Sequence, residues 1–331
     1  MNSFGQIFRV NIFGESHGES VGILIDGCPA GLTLSTEDLL ADIERRKGGQ
    51  QPGTTPRSEE DWPIFKSGLF KGKTTGAPLL IFFENNNTRS SDYEKQRSIP
   101  RPGHADFVAT KKFGGFEDYR GSGHFSGRLT LPLVAAGSIA KKLLGDVHIA
   151  ATLTEVGGYD DIEKGIEQAI AQKDSVGGIV ECRVTGLPVG LGEPFFDAVE
   201  SLLAHAVFAV PAIRGIEFGT GFAASKLFGS QHNDALQDAS GTTRTNHAGG
   251  VVGGLTNGNE LIFRVAVKPT SSTPQEQRSL NTDTGEQEDF VIRGRHDLCI
   301  ALRVPVVIEA VTSLVLADLM LRDQKMSRIR F

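Results

Sequence analysis

Residues 14–18 read Gly14-Glu15-Ser16-His17-Gly18, a match to the G-x-S-x-G turn that carries the nucleophile of serine hydrolases. That chemistry needs a strand before the serine, a helix directly after it and an oxyanion loop from an earlier strand. Here only 13 residues precede Gly14, and Val21-Gly22-Ile23-Leu24-Ile25, which follows, reads as a strand. Glu, Ser and His crowded between two strands are costly to bury without partners, so the turn is better assigned to a ligand, with His17 as its reactive group.

Four further constellations hold chemistry-bearing residues. Arg101-Pro102-Gly103-His104-Ala105-Asp106 sets an imidazole two residues from a carboxylate and three from a guanidinium, in a loop. The acid can fix one histidine tautomer for proton transfer near neutral pH, and an ordinary turn with a surface ion pair would use the same residues. Gly121-Ser122-Gly123-His124-Phe125-Ser126-Gly127-Arg128 precedes an apolar helical stretch and suits an anion near a helix N-terminus. Asn246-His247-Ala248-Gly249-Gly250 and Gly253-Gly254 lead into a strand closing with Lys268-Pro269-Thr270-Ser271-Ser272, a lysine and three hydroxyls that could cradle phosphate or cap a turn. Arg295-His296-Asp297 is the last. Arginines 45, 46, 57, 101, 120, 128 and 295 all fall beside these loops. Planar guanidinium groups are natural receptors for phosphate and carboxylate, so the ligand implied is a small polyanion.

The elements that must position these loops follow from periodicity. Strands are predicted at 6–13, 21–26, 79–84, 150–156, 178–185 and 260–268, and helices from the Ser35-Thr36-Glu37-Asp38 start signal to near Arg45-Arg46 and at 132–144, 162–172, 194–208 and 305–321. The pattern G-x-P-x-G-L occurs at Gly27–Leu32 and again at Gly186–Leu191, each time between a strand and a helix, which indicates a duplicated strand–turn–helix unit. Strands and helices mix without a βαβ rhythm, so the expected class is α+β with antiparallel sheets. Polar stretches at 47–61, 85–106 and 270–296 exceed ordinary connections and are read as site-forming loops. No linker divides the chain, giving one domain over 1–331.

Composition narrows the class. Hydrophobic residues at 39% and charged residues at 22% are those of a soluble globular protein. A net charge of −6 argues against nucleic acid as a partner. No stretch approaches the ~18 apolar residues of a membrane span and the N-terminus lacks a signal layout, so a cytoplasmic protein without membrane contact is expected. Cys28, Cys182 and Cys299 are scattered, and buried free thiols are expected rather than disulfides or a metal site.

Five of these stretches, GESHG, RPGHAD, SGRLT, NHAGG…KPTSS and GRHD, stand in the order and approximate spacing of the chorismate synthases, and the chain resembles that family over nearly its whole length. The resemblance implies a β-α-β sandwich, pseudo-duplicated, with two antiparallel sheets inside helical layers, assembled as a homotetramer. It implies the anti 1,4-elimination of phosphate and a proton from 5-enolpyruvylshikimate 3-phosphate, the last step of the shikimate pathway of aromatic amino-acid biosynthesis, with reduced FMN as cofactor.

By motif, the resemblance makes His17 and His104 the proton-managing histidines and Asp297 the residue beside the flavin. Arg46, Arg101, Ser126, Arg128 and Arg295 would meet the substrate. FMN would lie against His124, Phe125, Ser126, Pro211, Ala212, Gly253, Lys268, Pro269, Thr270, Ser271 and Ser272, with Arg295 reaching both ligands. The chain departs from the family where R-S-S-A-R is replaced by His124-Phe125-Ser126-Gly127-Arg128, and where Pro52 stands in place of an arginine. That anion contact is then missing or supplied by Arg57. The absence of a visible reductase domain favours an external flavin reductase over intrinsic reduction by NADPH. The competing reading is a non-catalytic flavin-binding module, which would not need His17, His104 and Asp297.

Overall fold

The computed structural model describes residues 1–49, 52–55, 59–86, 97–292 and 296–325. The first half builds a sheet from β1 (Ser3–Phe4), β2 (Arg9–Gly14), β3 (Ser20–Asp26), β4 (Ile64–Ser67) and β5 (Leu79–Glu84), ordered β1-β2-β3-β5-β4 and antiparallel throughout. Val21, Ile23 and Ile25 of β3 are completely buried while Leu24 between them is exposed, the period-two pattern of a sheet packed on one face. The second half repeats the design with β6 (His148–Val156), β7 (Gly178–Thr185), β8 (Ile213–Phe218) and β9 (Leu261–Val267), ordered β8-β9-β7-β6 and again antiparallel.

Helices α1 (Glu37–Arg46), α2 (Asp106–Phe113), α3 (Thr130–Leu144), α4 (Ile162–Gln172), α5 (Val199–Phe208) and α6 (Val304–Lys325) complete the frame. α3 packs on the first sheet, α6 on the second, and the two helices pack on each other. Gly137 of α3 meets α6 so closely that a Cβ there would lie 2.4 Å from the Cα of Ala310. One hydrophobic core therefore runs through both halves, and the layering is sheet, helices, sheet. This is the expected β-α-β sandwich, with the sheets outside the helices rather than inside helical layers: the helices that are apolar all round take the middle, as burial on every side requires.

The α6 region, contrary to the expectation from sequence, is long and apolar enough to cross a membrane, yet 83% of its apolar stretch is buried inside the fold. Its buried carboxylates explain the difference. Asp318 accepts the backbone N–H groups of Gln6, Ile7 and Phe8 at 2.7–3.0 Å, and Glu309 receives Arg45, Lys141 and the N–H of Ala151. The same Asp318 bonds delay the start of β2 to Arg9, three residues later than expected.

The duplication is present in atomic detail. In the first G-x-P-x-G-L turn, the Thr74 hydroxyl donates to Pro29 O and accepts from Leu32 N–H, while Gly31 N–H donates to Thr74 O. In the second, Thr256 makes the matching bonds to Pro188 O, Leu191 N–H and Gly190 N–H. Both threonines are buried.

Two sequence assignments change. The stretch 270–296, expected to be a loop, contains a hairpin of Glu276–Leu280 paired with Gln287–Val291. The RPGHAD loop ends in α2, with Asp106 in its first turn and Gly114 left-handed after its last. The three cysteines are free and buried, and burial pushes the thiols of Cys28 and Cys182 up to about 11 and about 12.

Candidate active site

A cavity of about 800 Å³ opens where the loops of both halves converge, within the ~300–1,000 Å³ range of small-molecule sites. Of the residues singled out from sequence, Arg46, Arg101, His104, His124, Phe125, Ser126, Arg128, Pro211, Ala212, Lys268, Pro269, Thr270, Ser271, Ser272 and Asp297 line it. His17 does not reach the wall. It is buried behind Gly121, which does: a Cβ on Gly121 would lie 2.3 Å from His17 Cδ2, and its φ of +56° suits glycine. Gly253 stands at the turn between Val251–Val252 and Leu255–Thr256, outside the cavity walls, so its assignment as a flavin contact is not met within this chain. Arg295 and Arg57 lie outside the described residues.

The serine-nucleophile alternative ends here. Ser16 is completely buried, its Oγ has no hydrogen-bond partner among the described residues, and β3 rather than a helix follows the turn.

The RPGHAD residues form one unit. Asp106 Oδ1 receives His104 Nδ1 at 2.6 Å and Arg101 Nη2 at 2.8 Å, while Oδ2 receives Arg101 Nε at 2.7 Å. Burial alone would raise the Asp106 carboxyl, but hydrogen bonds and charge from Arg101 and His104 outweigh it and hold the group well below the usual carboxylate range. An ionised Asp106 fixes the Nδ1–H tautomer of His104 and leaves Nε2 free to take or give a proton. Arg101 also donates to Ser272 and Ser122, tying this unit to two other loops.

Asp297 is held by the backbone N–H of Thr55 at 2.9 Å and by Arg303, a cavity residue that sequence reasoning missed. Its only signal was a position six residues beyond Asp297, ahead of α6. Arg128 is nearly buried, with Asn85 Oδ1 on its Nε at 2.9 Å, Asp61 on Nη1, and Glu59 at 3.1 Å and Glu84 O at 3.3 Å on Nη2. Arg46 donates to Thr130, Gly127 O and Asp61. Burial and the charges of Arg303 and Arg128 push Arg46 down to about 9, against the pull of Asp61 and Asp297. Burial and Arg214 likewise lower Lys268, which donates to Gly103 O and Ser271. Burial and neighbouring like charge thus work against the cationic forms of Arg46 and Lys268, and opposite charge placed beside them favours those forms.

His124 Nδ1 donates to Gly14 O at 2.8 Å and Nε2 meets the side-chain amide of Asn2 at 3.1 Å, so only its ring surface is left for a ligand. Thr270 presents a buried Oγ1 with no partner among the described residues, a polar atom that a bound group with hydrogen-bonding atoms would satisfy.

A family profile described as chorismate synthase matches residues 8–321. A chorismate synthase of Chitinophaga pinensis is 70% identical over 330 residues, covering 99% of each chain. The chain belongs to the chorismate synthase family. Chorismate synthases of Dehalococcoides mccartyi and Synechocystis are 45% and 42% identical, the alignments covering 99% and 98% of this chain. A solved structure titled Crystal Structure of Chorismate Synthase shares the fold, with a TM-score of 0.73 at 24% identity over 97% of this chain and 93% of that one. As a chorismate synthase the chain is an enzyme, a carbon–oxygen lyase of aromatic amino-acid biosynthesis.

Proposed function

We propose that the chain converts 5-enolpyruvylshikimate 3-phosphate to chorismate by anti 1,4-elimination, with reduced FMN bound in the same cavity. The observation that carries this reading is the convergence of the His104–Asp106 dyad, Asp297 and the arginines 46, 101 and 128 on one 800 Å³ space. In the reaction a C–O bond to phosphate and a C–H bond break, and a new C=C bond forms. Arg128, Arg46 and Arg101 would bind the phosphate and carboxylates and stabilise the charge that gathers on the departing phosphate. His104, its tautomer set by Asp106, would move a proton through Nε2. His17, behind Gly121, would tune the charge of that wall.

The walls fit a flavin: Phe125, Pro211 and Ala212 give apolar surface, and Lys268, Thr270, Ser271 and Ser272 give donors. When bound, reduced FMN would supply an electron-rich ring that lends charge transiently and takes up the substrate proton. Asp297, kept in place by Arg303 and the Thr55 N–H, is the carboxylate that would assist at that ring.

We further propose a cytoplasmic homotetramer fed by an external flavin reductase. Exposed Phe195, Phe196, Phe222 and Phe228 supply apolar surface for assembly, which light scattering would read as four times the 35.5 kDa chain. The decisive experiment is an anaerobic assay with dithionite-reduced FMN and the enolpyruvyl substrate, following phosphate and chorismate together. Equal release of both is expected, and no turnover refutes the reading. NADPH in place of dithionite is expected to fail until a reductase is added.

A further inference from the structure

We infer that Glu59 and Asp61 are internal stand-ins for ligand charge, occupying Arg128 and Arg46 until a dianion displaces them and so setting the charge a ligand must bring. The inference rests on the proposed role of those arginines in anion binding. All three nitrogens of the Arg128 guanidinium are engaged by protein oxygens: Asn85 on Nε, Asp61 on Nη1, and Glu59 with Glu84 O on Nη2. Asp61 also reaches Arg46 at 3.5 Å. The side chains of Arg46, Arg128, Glu59 and Asp61 are 7%, 6%, 5% and 3% exposed, so the four form a buried set of balanced charge.

Two buried guanidinium groups without counter-charge would be strongly unfavourable, so the empty site needs these acids. A phosphate added on top of them would leave the set in excess negative charge. Binding is therefore an exchange. A monocarboxylate offers Arg128 no more than the acids it would replace, whereas a dianionic phosphate brings two charges and several acceptor oxygens to guanidinium geometry. The backbone of Asp61 fits a residue pinned by its neighbours, since its φ of +54° is left-handed, a conformation that non-glycine residues keep only when the surroundings impose it.

Inorganic phosphate titrated into the full chain without flavin tests this, by calorimetry and by emission of the single tryptophan, Trp62, the next residue after Asp61. Wild-type protein should bind phosphate with a saturable change in Trp62 emission and show none with acetate. Asp61→Asn should bind phosphate about tenfold more tightly, a change of about 1.4 kcal/mol. It should also melt below wild type when empty and recover in saturating phosphate. Unchanged or weaker phosphate binding in Asp61→Asn, or phosphate binding without a Trp62 response, overturns the inference. A purely structural acid would lower the melting temperature without tightening phosphate. Should Asp61→Asn not fold, Glu59→Gln carries the same comparison with the same expected sign. Arg128→Ala separates the two levels: loss of phosphate binding there upholds the anion site whatever Asp61→Asn does, and unaltered binding removes the anion site itself.

Discussion

Replacing Asp106 with asparagine asks whether the imidazole of His104 does the proton work. In the wild-type site the two carboxylate oxygens accept His104 Nδ1 at 2.6 Å, Arg101 Nη2 at 2.8 Å, Arg101 Nε at 2.7 Å and the Arg101 backbone N–H at 3.1 Å. An amide keeps only one oxygen, so either the histidine or one edge of the arginine meets an NH2 donor instead. Each charge-assisted bond is worth ~1.5–3 kcal/mol, and partial solvent exposure of Asp106 reduces the loss of two of them to ~3 kcal/mol. At ~1.4 kcal/mol per decade that is about 10²-fold in kcat/KM. Most of it should fall on kcat, because Ser272 and Ser122 still hold Arg101 at 3.1 and 3.0 Å. The assay is anaerobic phosphate release with reduced FMN across a pH series. A variant within threefold of wild type at every pH refutes the dyad. Because the Asp106 carboxyl is depressed in the folded state, its contribution to stability is full above the unfolded value of ~3.9 and fades as pH falls below that. Thermal melts of wild type and variant should therefore differ at pH 7 and converge in strong acid.

Arg128→Ala should weaken the phosphorylated substrate more than FMN, as two separate titrations would show; equal loss of both counts against the site as drawn. Gly121→Ala places a methyl 2.3 Å from His17 Cδ2 in a left-handed conformation and should lower turnover by ~10²-fold if His17 shapes that wall; full activity would leave His17 without a role. Thr74→Val and Thr256→Val each orphan a leucine N–H and should each cost ~1–3 kcal/mol in urea unfolding, and a large asymmetry between them would deny that the turns are equivalent.

Much of the architecture was legible because the buried strands and helices carry clear periods. The helix at 162–172 appears with those bounds, and strands at 79–84 and 178–185 likewise. The hairpin within 270–296 was not legible, since Glu276–Leu280 and Gln287–Val291 alternate between exposed and half-buried positions and carry no apolar face. The repeated G-x-P-x-G-L turn disclosed the duplication, but Thr74 and Thr256 that complete it come from distant segments with no pattern of their own. The site shows the same division. Histidines and arginines in glycine-rich loops were visible, whereas Glu59, Asp61, Asn85 and Arg303 acquire meaning only through the groups they touch across the fold.

The bond between Asp318 and the amides of Gln6, Ile7 and Phe8 joins positions 312, 311 and 310 apart in sequence. A chain emerging from the ribosome can anchor the segment just ahead of β2 only after α6 has been made, and until then the second sheet lacks the helix that packs on it and α3 lacks its partner. Native structure must therefore be completed after translation of nearly the whole polypeptide, with high contact order and slow, cooperative closure. The half-built chain, with the apolar face of its second sheet open, is the state in which chaperone binding and aggregation would compete.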